Sequence, residues 1–275
     1  MRSVYKVHPV HGKCLFIDNG IYEVGIALEF GIRIVHFSFL GGENVFYEQP
    51  LDSHAFETPE GWRLRGGHRL WLTPEDKNTY YPDNAPVEHK LGNNSVLVTQ
   101  TEDAWLGLVK SVEINLHSKC VEVNHIIKNT ADTPRTTSLW GVSVMAPGGV
   151  EKIPLPTVPE GSEPLFYLAM WGHSSLADER ITYDKEHLTL TWLNLEKSLK
   201  IGVAHPAGEI CYERGNTAIY VNYTVQKGVN YSHRGVSYET FFSKYMVEIE
   251  TLSPAVTLAP CESAEHTEFW RLEKI

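Results

Sequence analysis

Hydrophobic and polar positions alternate along most of this chain with a period of two residues, the period of an extended strand with one buried face. Val112, Ile114 and Leu116 alternate with Glu113 and Asn115. After a polar turn at His117-Ser118-Lys119, Val121, Val123 and Ile127 point one way while Glu122, Asn124 and Lys128 point the other. Leu188, Leu190 and Trp192 alternate with Thr189 and Thr191. Clusters such as Gly41-Gly42-Glu43-Asn44, Gly92-Asn93-Asn94 and Pro147-Gly148-Gly149 interrupt these runs as turns. Helical periodicity is nearly absent. Many short strands separated by regular turns predict an all-β sandwich or barrel. The stretch from Lys152 to Pro164 carries four prolines and predicts an extended surface loop, with a domain linker as the alternative. Strands of the same character flank it, so the chain reads as one domain spanning 1–275.

Composition narrows the partners. The chain has 275 residues, 42% hydrophobic, and a formal net charge of −10, with acidic residues scattered rather than blocked. No basic stripe exists for a phosphate backbone to follow, which argues against nucleic acid. The start, Met1-Arg2-Ser3-Val4-Tyr5-Lys6, lacks the apolar stretch of a signal peptide. No apolar run approaches the roughly 20 residues that span a bilayer. Cys14, Cys120, Cys211 and Cys261 show no CxxC spacing and read as reduced thiols, so a cytoplasmic, membrane-free protein is expected. None of the thirteen histidines falls in an HxH or HExxH pattern, and His8 and His11 sit near a terminus expected to fray. No metal and no cofactor is therefore expected. Most of the seven tryptophans and thirteen tyrosines must serve the core, but flat rings of this kind also pack against the C–H faces of pyranose sugars.

Three segments concentrate polar chemistry. The first is Arg63-Leu64-Arg65-Gly66-Gly67-His68-Arg69-Leu70-Trp71, with Trp62 before it and Tyr80-Tyr81-Pro82-Asp83-Asn84 after it. Arginine forks offer paired donors to hydroxyls or anions, and glycines permit close approach of backbone and ligand. No Lys-Ser/Thr follows the glycines, so this is not a phosphate-binding P-loop. The second runs from the turn Asn129-Thr130-Ala131-Asp132-Thr133-Pro134 into the strand Leu139-Trp140-Gly141-Val142-Ser143-Val144-Met145. The third holds Tyr231, His233, Glu239 and the strand Val247-Glu248-Ile249-Glu250, in which both carboxylates share one face. Carboxylates and histidine are the groups of acid–base catalysis near neutral pH. Lys200 lies between Leu199 and Ile201, which would face the core and send the lysine to the other side.

At these three segments the chain resembles the galactose mutarotase-like superfamily, which includes aldose 1-epimerases and hexose-6-phosphate epimerases. Arg65-Gly66-Gly67-His68 is similar to their Gly-Gly motif at the sugar groove, and Asn129 to Pro134 to the turn before their second-histidine strand. Ile249-Glu250-Thr251-Leu252 with Leu258-Ala259-Pro260-Cys261-Glu262 is similar to their catalytic-glutamate strand and the Pro-Gly-Glu turn after it. The resemblance implies a β-supersandwich of antiparallel strands with a concave sugar groove. It implies Glu250 as general base and His68 as the groove histidine. Arg65, Arg69, Trp71, Trp140, Lys200, His233 and Glu239 are expected to bind the sugar. Two positions depart from the pattern: no histidine lies between Lys128 and Gly149, where the families keep their general acid, and Cys261 replaces a glycine. The expected function is an epimerase- or mutarotase-like isomerase of a sugar or oligosaccharide. A non-catalytic carbohydrate-binding protein and an accessory domain of polysaccharide degradation are the alternatives, and a homodimer is left open.

Overall fold

The computed structural model describes residues 1–101, 105–156, 166–204 and 207–275. The proline-rich stretch begins as strand rather than loop, since Lys152 to Pro154 close a five-residue strand, and 157–165 lie outside the described residues. Among the described residues there is no helix, and hence none long and apolar enough to cross a membrane.

Two ten-stranded antiparallel sheets carry the fold. The first runs, from edge to edge, β1 (Arg2–His8), β2 (Gly12–Asp18), β3 (Tyr22–Ala27), β4 (Ile34–Phe39), β5 (Gly67–Leu72), β11 (Leu139–Met145), β20 (Val247–Leu252), β19 (Tyr238–Phe242), β16 (Leu199–Val203) and β13 (Leu168–Met170). The second runs β14 (Ile181–Tyr183), β15 (His187–Thr191), β12 (Val150–Pro154), β17 (Glu209–Arg214), β18 (Thr217–Tyr223), β22 (Ser263–Lys274), β9 (Val121–Asn129), β8 (Leu108–Leu116), β7 (Ser95–Thr99) and β6 (Glu88–Leu91). A small ribbon pairs β10 (Arg135–Thr137) with β21 (Val256–Leu258). The N-terminus, expected to fray, is instead pinned as β1, paired with β2 over its whole length from Arg2–Asp18 to His8–Gly12.

The alternation in the sequence decides which face of each strand is buried where. In β8, Leu108, Val112, Ile114 and Leu116 are buried between half-buried polar neighbours, so that strand has one core face. The main core lies between the sheets and joins Val112, Ile114, Val121 and Val123 of the second sheet to Leu199, Ile201, Phe242, Val247 and Ile249 of the first. Strands β5, β11 and β20 are buried on both faces along their whole length. Their second face carries Trp71, Trp140, Val142, Val144 and Leu252, which pack with Trp62, Leu64 and Met246 into a separate apolar cluster. That second layer is the floor of a concave surface.

The Gly66-Gly67 pair is a packing requirement rather than a ligand contact. Both glycines take left-handed φ angles of 84° and 70°. A Cβ on Gly66 would lie 1.9 Å from the Tyr47 carbonyl oxygen, and one on Gly67 2.4 Å from that of Ile34. The pair lets the Tyr47–Gln49 segment bridge onto the start of β5 at Glu48 and Gly66.

Candidate functional site

Register fixes the site. In β5 the side chains alternate, so Arg69 and Trp71 face the concave side while His68 and Leu70 face the second sheet. Pairing of β11 with β20 sets Val142 opposite Glu250, and pairing of β19 with β20 sets Glu239 opposite Glu250 and Phe241 opposite Glu248. Strand β16 next brings Lys200 beside Phe241. Directly opposed residues share a face, so Arg69, Glu248, Glu250, Glu239, Phe241 and Lys200 all converge on the concave side.

The concavity there is a cavity of about 450 Å³, with Trp62, Trp71, Tyr80, Trp171, Phe56 and Phe241 among its walls. The polar groups reaching it include Arg69, Lys200, Glu248, Glu75 and His173. Arg69 donates from Nη2 to Glu248 Oε1 at 2.9 Å, and its guanidinium lies 3.9 Å from the Trp71 ring centroid. Trp71 in turn packs edge-on against Tyr80 and Trp140. Arg69 Nε and Nη1 are buried without a partner among the described residues, so the fork has donors to spare.

Beneath the cavity lies a buried ionic cluster. Lys200 Nζ sits 2.9 Å from Glu239 Oε2 and 3.0 Å from Glu250 Oε2, against the faces of Trp140 and Trp171. The Glu75 backbone N–H donates to His233 Nε2, so the imidazole proton sits on Nδ1, which donates to Glu239 Oε1 at 2.8 Å. Burial pushes the Glu250 carboxyl up to about 8: Lys200 opposes the shift, and Glu248 and Glu239 add to it. Burial works against the Glu239 carboxylate too, but the His233 hydrogen bond and the Lys200 charge outweigh it and hold that group below its usual range. For Lys200, burial is outweighed by Glu250 and Glu239, which keep the ammonium charged. One ammonium is thus shared between two carboxyl groups, with burial raising Glu250 while His233 and Lys200 hold Glu239 low.

Several solved structures share this architecture. A galactose mutarotase-like protein from Lactobacillus casei superposes with a TM-score of 0.64 at 11% identity over 94% of this chain and 100% of that one. The chain has the galactose mutarotase-like fold. A galactose mutarotase-like protein from Clostridium acetobutylicum matches with a TM-score of 0.57 at 13% identity over 100% of this chain and 99% of that one. A galactose mutarotase-related enzyme from Lactobacillus acidophilus matches at 0.55 and 14% over 95% and 97%. No protein-family model matches the sequence, and neither does any curated protein.

Relative to the concavity, the residues expected from the sequence fall into three groups. Arg69, Trp71 and Lys200 line the cavity. Glu250, Glu239, His233 and Trp140 belong to the layer just below it. Trp140 is fully buried under Trp71 and Lys200, so it supports the floor and is not an open platform. Glu250 is likewise fully buried, with Lys200 covering it. Arg65 and His68 belong to neither layer. The Arg65 guanidinium lies over Phe30 at 4.0 Å and donates to Asn84 outside the cavity. His68, expected in the groove, is on the opposite face of the sheet, buried against His125, Ser143 and Trp270. His68 and Arg69 are adjacent in a strand, so both cannot face the groove.

Sequence reasoning placed Glu248 on the face of Glu250 without giving it a role, and passed over Phe241, Phe56, Glu75, Trp171 and His173. Glu248 and Phe241 had a signal, since each sits two residues from a glutamate already singled out and so shares its face. Trp171 and His173 follow β13 in irregular chain and carried none.

Proposed function

We propose that the protein handles a carbohydrate in the concave cavity, by acid–base chemistry on a free sugar. The observation that carries this reading is an aromatic-walled cavity of monosaccharide scale over a floor that combines Arg69, Glu248 and Lys200. Rings pack against the C–H face of a pyranose, while charged donors and acceptors read its hydroxyls. The fold, shared with proteins described as galactose mutarotase-like, supports the same reading by analogy.

The ring-opening form of this chemistry needs a base at the anomeric hydroxyl and a proton donor at the ring oxygen. Among the groups lining the cavity, Glu248 is a carboxylate on the floor and Lys200 is a proton donor beside it. When Lys200 gives a proton to the ring oxygen, the C1–O5 bond breaks and the base holds the hydroxyl proton. Glu250, buried behind Lys200 with its pKa raised to about 8, can restore the lysine's proton. Closure on the other face of the carbonyl reverses each transfer.

Exchange spectroscopy on a panel of aldoses tests this by comparing anomer interconversion with and without protein. Glu248→Gln is expected to cost about 10²–10⁴-fold in turnover, the range of a positioned acid or base, and to change binding less. Glu250→Gln is expected to displace the pH profile. Saturable binding of sugars without any catalysed exchange would defeat the enzymatic reading and leave a carbohydrate-binding protein. Two observations favour that second reading: Lys200 occupies both Glu250 oxygens, and Trp140 stands in the strand where the resembling epimerases keep a histidine.

A further inference from the structure

Behind the groove floor, between the two sheets, lies a polar cluster that the cavity does not use. His68 of β5, Ser143 of β11 and Thr251 of β20 meet His125 of β9 with His266 and Glu268 of β22, and all six are buried. Their hydrogen bonds fix the protons. The His266 carbonyl can only accept, so His125 carries its proton on Nδ1 and presents a lone pair at Nε2. That lone pair faces His68 Nε2 at 2.6 Å, so His68 donates there and accepts at Nδ1 from Ser143 Oγ at 2.9 Å. Glu268 accepts from Thr251 Oγ1 on one oxygen and from Trp270 Nε1 on the other.

We propose that His68, His125 and Glu268 form a zinc-class metal site that ties the two sheets together. One ligand atom from each lies within 4.8 Å of the other two. Two imidazole nitrogens and a carboxylate are a donor set suited to zinc. Each ligand is also oriented from behind in the way metal ligands commonly are. His125 is held by a backbone carbonyl, His68 by a serine hydroxyl, and Glu268 by a threonine and a tryptophan.

Entry of the ion needs a small and balanced rearrangement. Two nitrogen ligands of a tetrahedral zinc stand about 3.3 Å apart, so the 2.6 Å contact has to widen by less than about 1 Å. His68 moves its proton from Nε2 to Nδ1, and Ser143 Oγ turns from donor to acceptor. Neither ring changes charge. All three ligand residues are buried, so an ion held there would lie enclosed between the sheets. A second group, His8, His11 and Glu48, has similar spacing. It is poorly suited: the Val10 N–H donates to His8 Nδ1, which puts the His8 proton on Nε2.

The test uses the full chain, stripped with a chelator and reloaded with zinc or cobalt(II). The expected result is one retained zinc per chain and a Tm rise of about 5–10 °C at zinc concentrations near 100 times Kd. His125→Gln should abolish the rise and His8→Gln should keep it. Cobalt(II) should displace or broaden the Trp270 indole N–H resonance, because that N–H is bonded to Glu268. If His125→Gln does not fold, this signal in the wild-type chain decides. A wild-type chain with no zinc-dependent Tm rise would overturn the proposal. So would a Trp270 resonance indifferent to cobalt, or a rise lost in His8→Gln and kept in His125→Gln. The pair would then be a hydrogen-bonded dyad alone.

Discussion

At the scale of single residues, the buried charges separate into two kinds. Lys200, Glu239 and Glu250 compensate one another, whereas Glu151 stands in the core with two hydroxyl partners, Tyr238 and Thr240, among the described residues. Burial pushes Glu151 up to about 7 from 4.5, and the two hydroxyls oppose that only in part. A carboxyl raised in this way binds more protons folded than unfolded between those two values. Its contribution to stability is fully present below about 4.5 and is lost as pH rises through about 7, a change on the order of 3 kcal/mol. Glu250 acts with the same sign up to about 8. Glu151→Gln keeps the shape of the protonated carboxyl and cannot ionise. Denaturation midpoints at pH 5 and pH 8 are therefore expected to lie closer together in this variant than in the wild type. Equal pH slopes in the two proteins would place the titration elsewhere.

At the scale of elements, a strand's two faces were legible and the direction each face looks was not. Leu199 and Ile201 on one side with Lys200 on the other, and Val247 and Ile249 against Glu248 and Glu250, followed directly from alternation. His68 failed for a specific reason. The resemblance was anchored on Gly66-Gly67-His68, and a strand that is buried on both faces shows no polarity contrast to say which of His68 and Arg69 looks outward. The pair Lys200–Glu250 was equally invisible, because only the β16–β19–β20 order brings them together. The turn after β21 was better marked. Cys261 stands where the resembling families have glycine, and it takes a left-handed φ of 69°. Side chains cost about 1–2 kcal/mol in that region, so Cys261→Gly is expected to stabilise the protein by about 1 kcal/mol in urea denaturation. A loss of stability would show that the thiol makes a contact worth more than the strain.

At the scale of the whole molecule, the last strand is the keystone. Strand β22 lies between β18 and β9, in the middle of the second sheet, and sends Trp270, Glu268 and His266 into the space between the sheets. A chain ending at Glu262 would leave two open strand edges and an emptied core, and is expected to show no cooperative thermal transition. A cooperative melt from that truncated chain would contradict the assigned pairing. The concavity belongs to this scale too, since its walls come from the segment before β5, from β5 itself, from β19 and β20, and from the chain beyond β13. Seven tryptophans allow it to be tested by position. In the uniformly ¹⁵N-labelled protein, titration with monosaccharides should shift the indole N–H signals of Trp62, Trp71 and Trp171 saturably, because these rings wall the cavity. Trp105, Trp192 and Trp270 lie outside it and should stay fixed. Saturable shifts confined to that second group, or none with any sugar, would contradict a carbohydrate site in this groove.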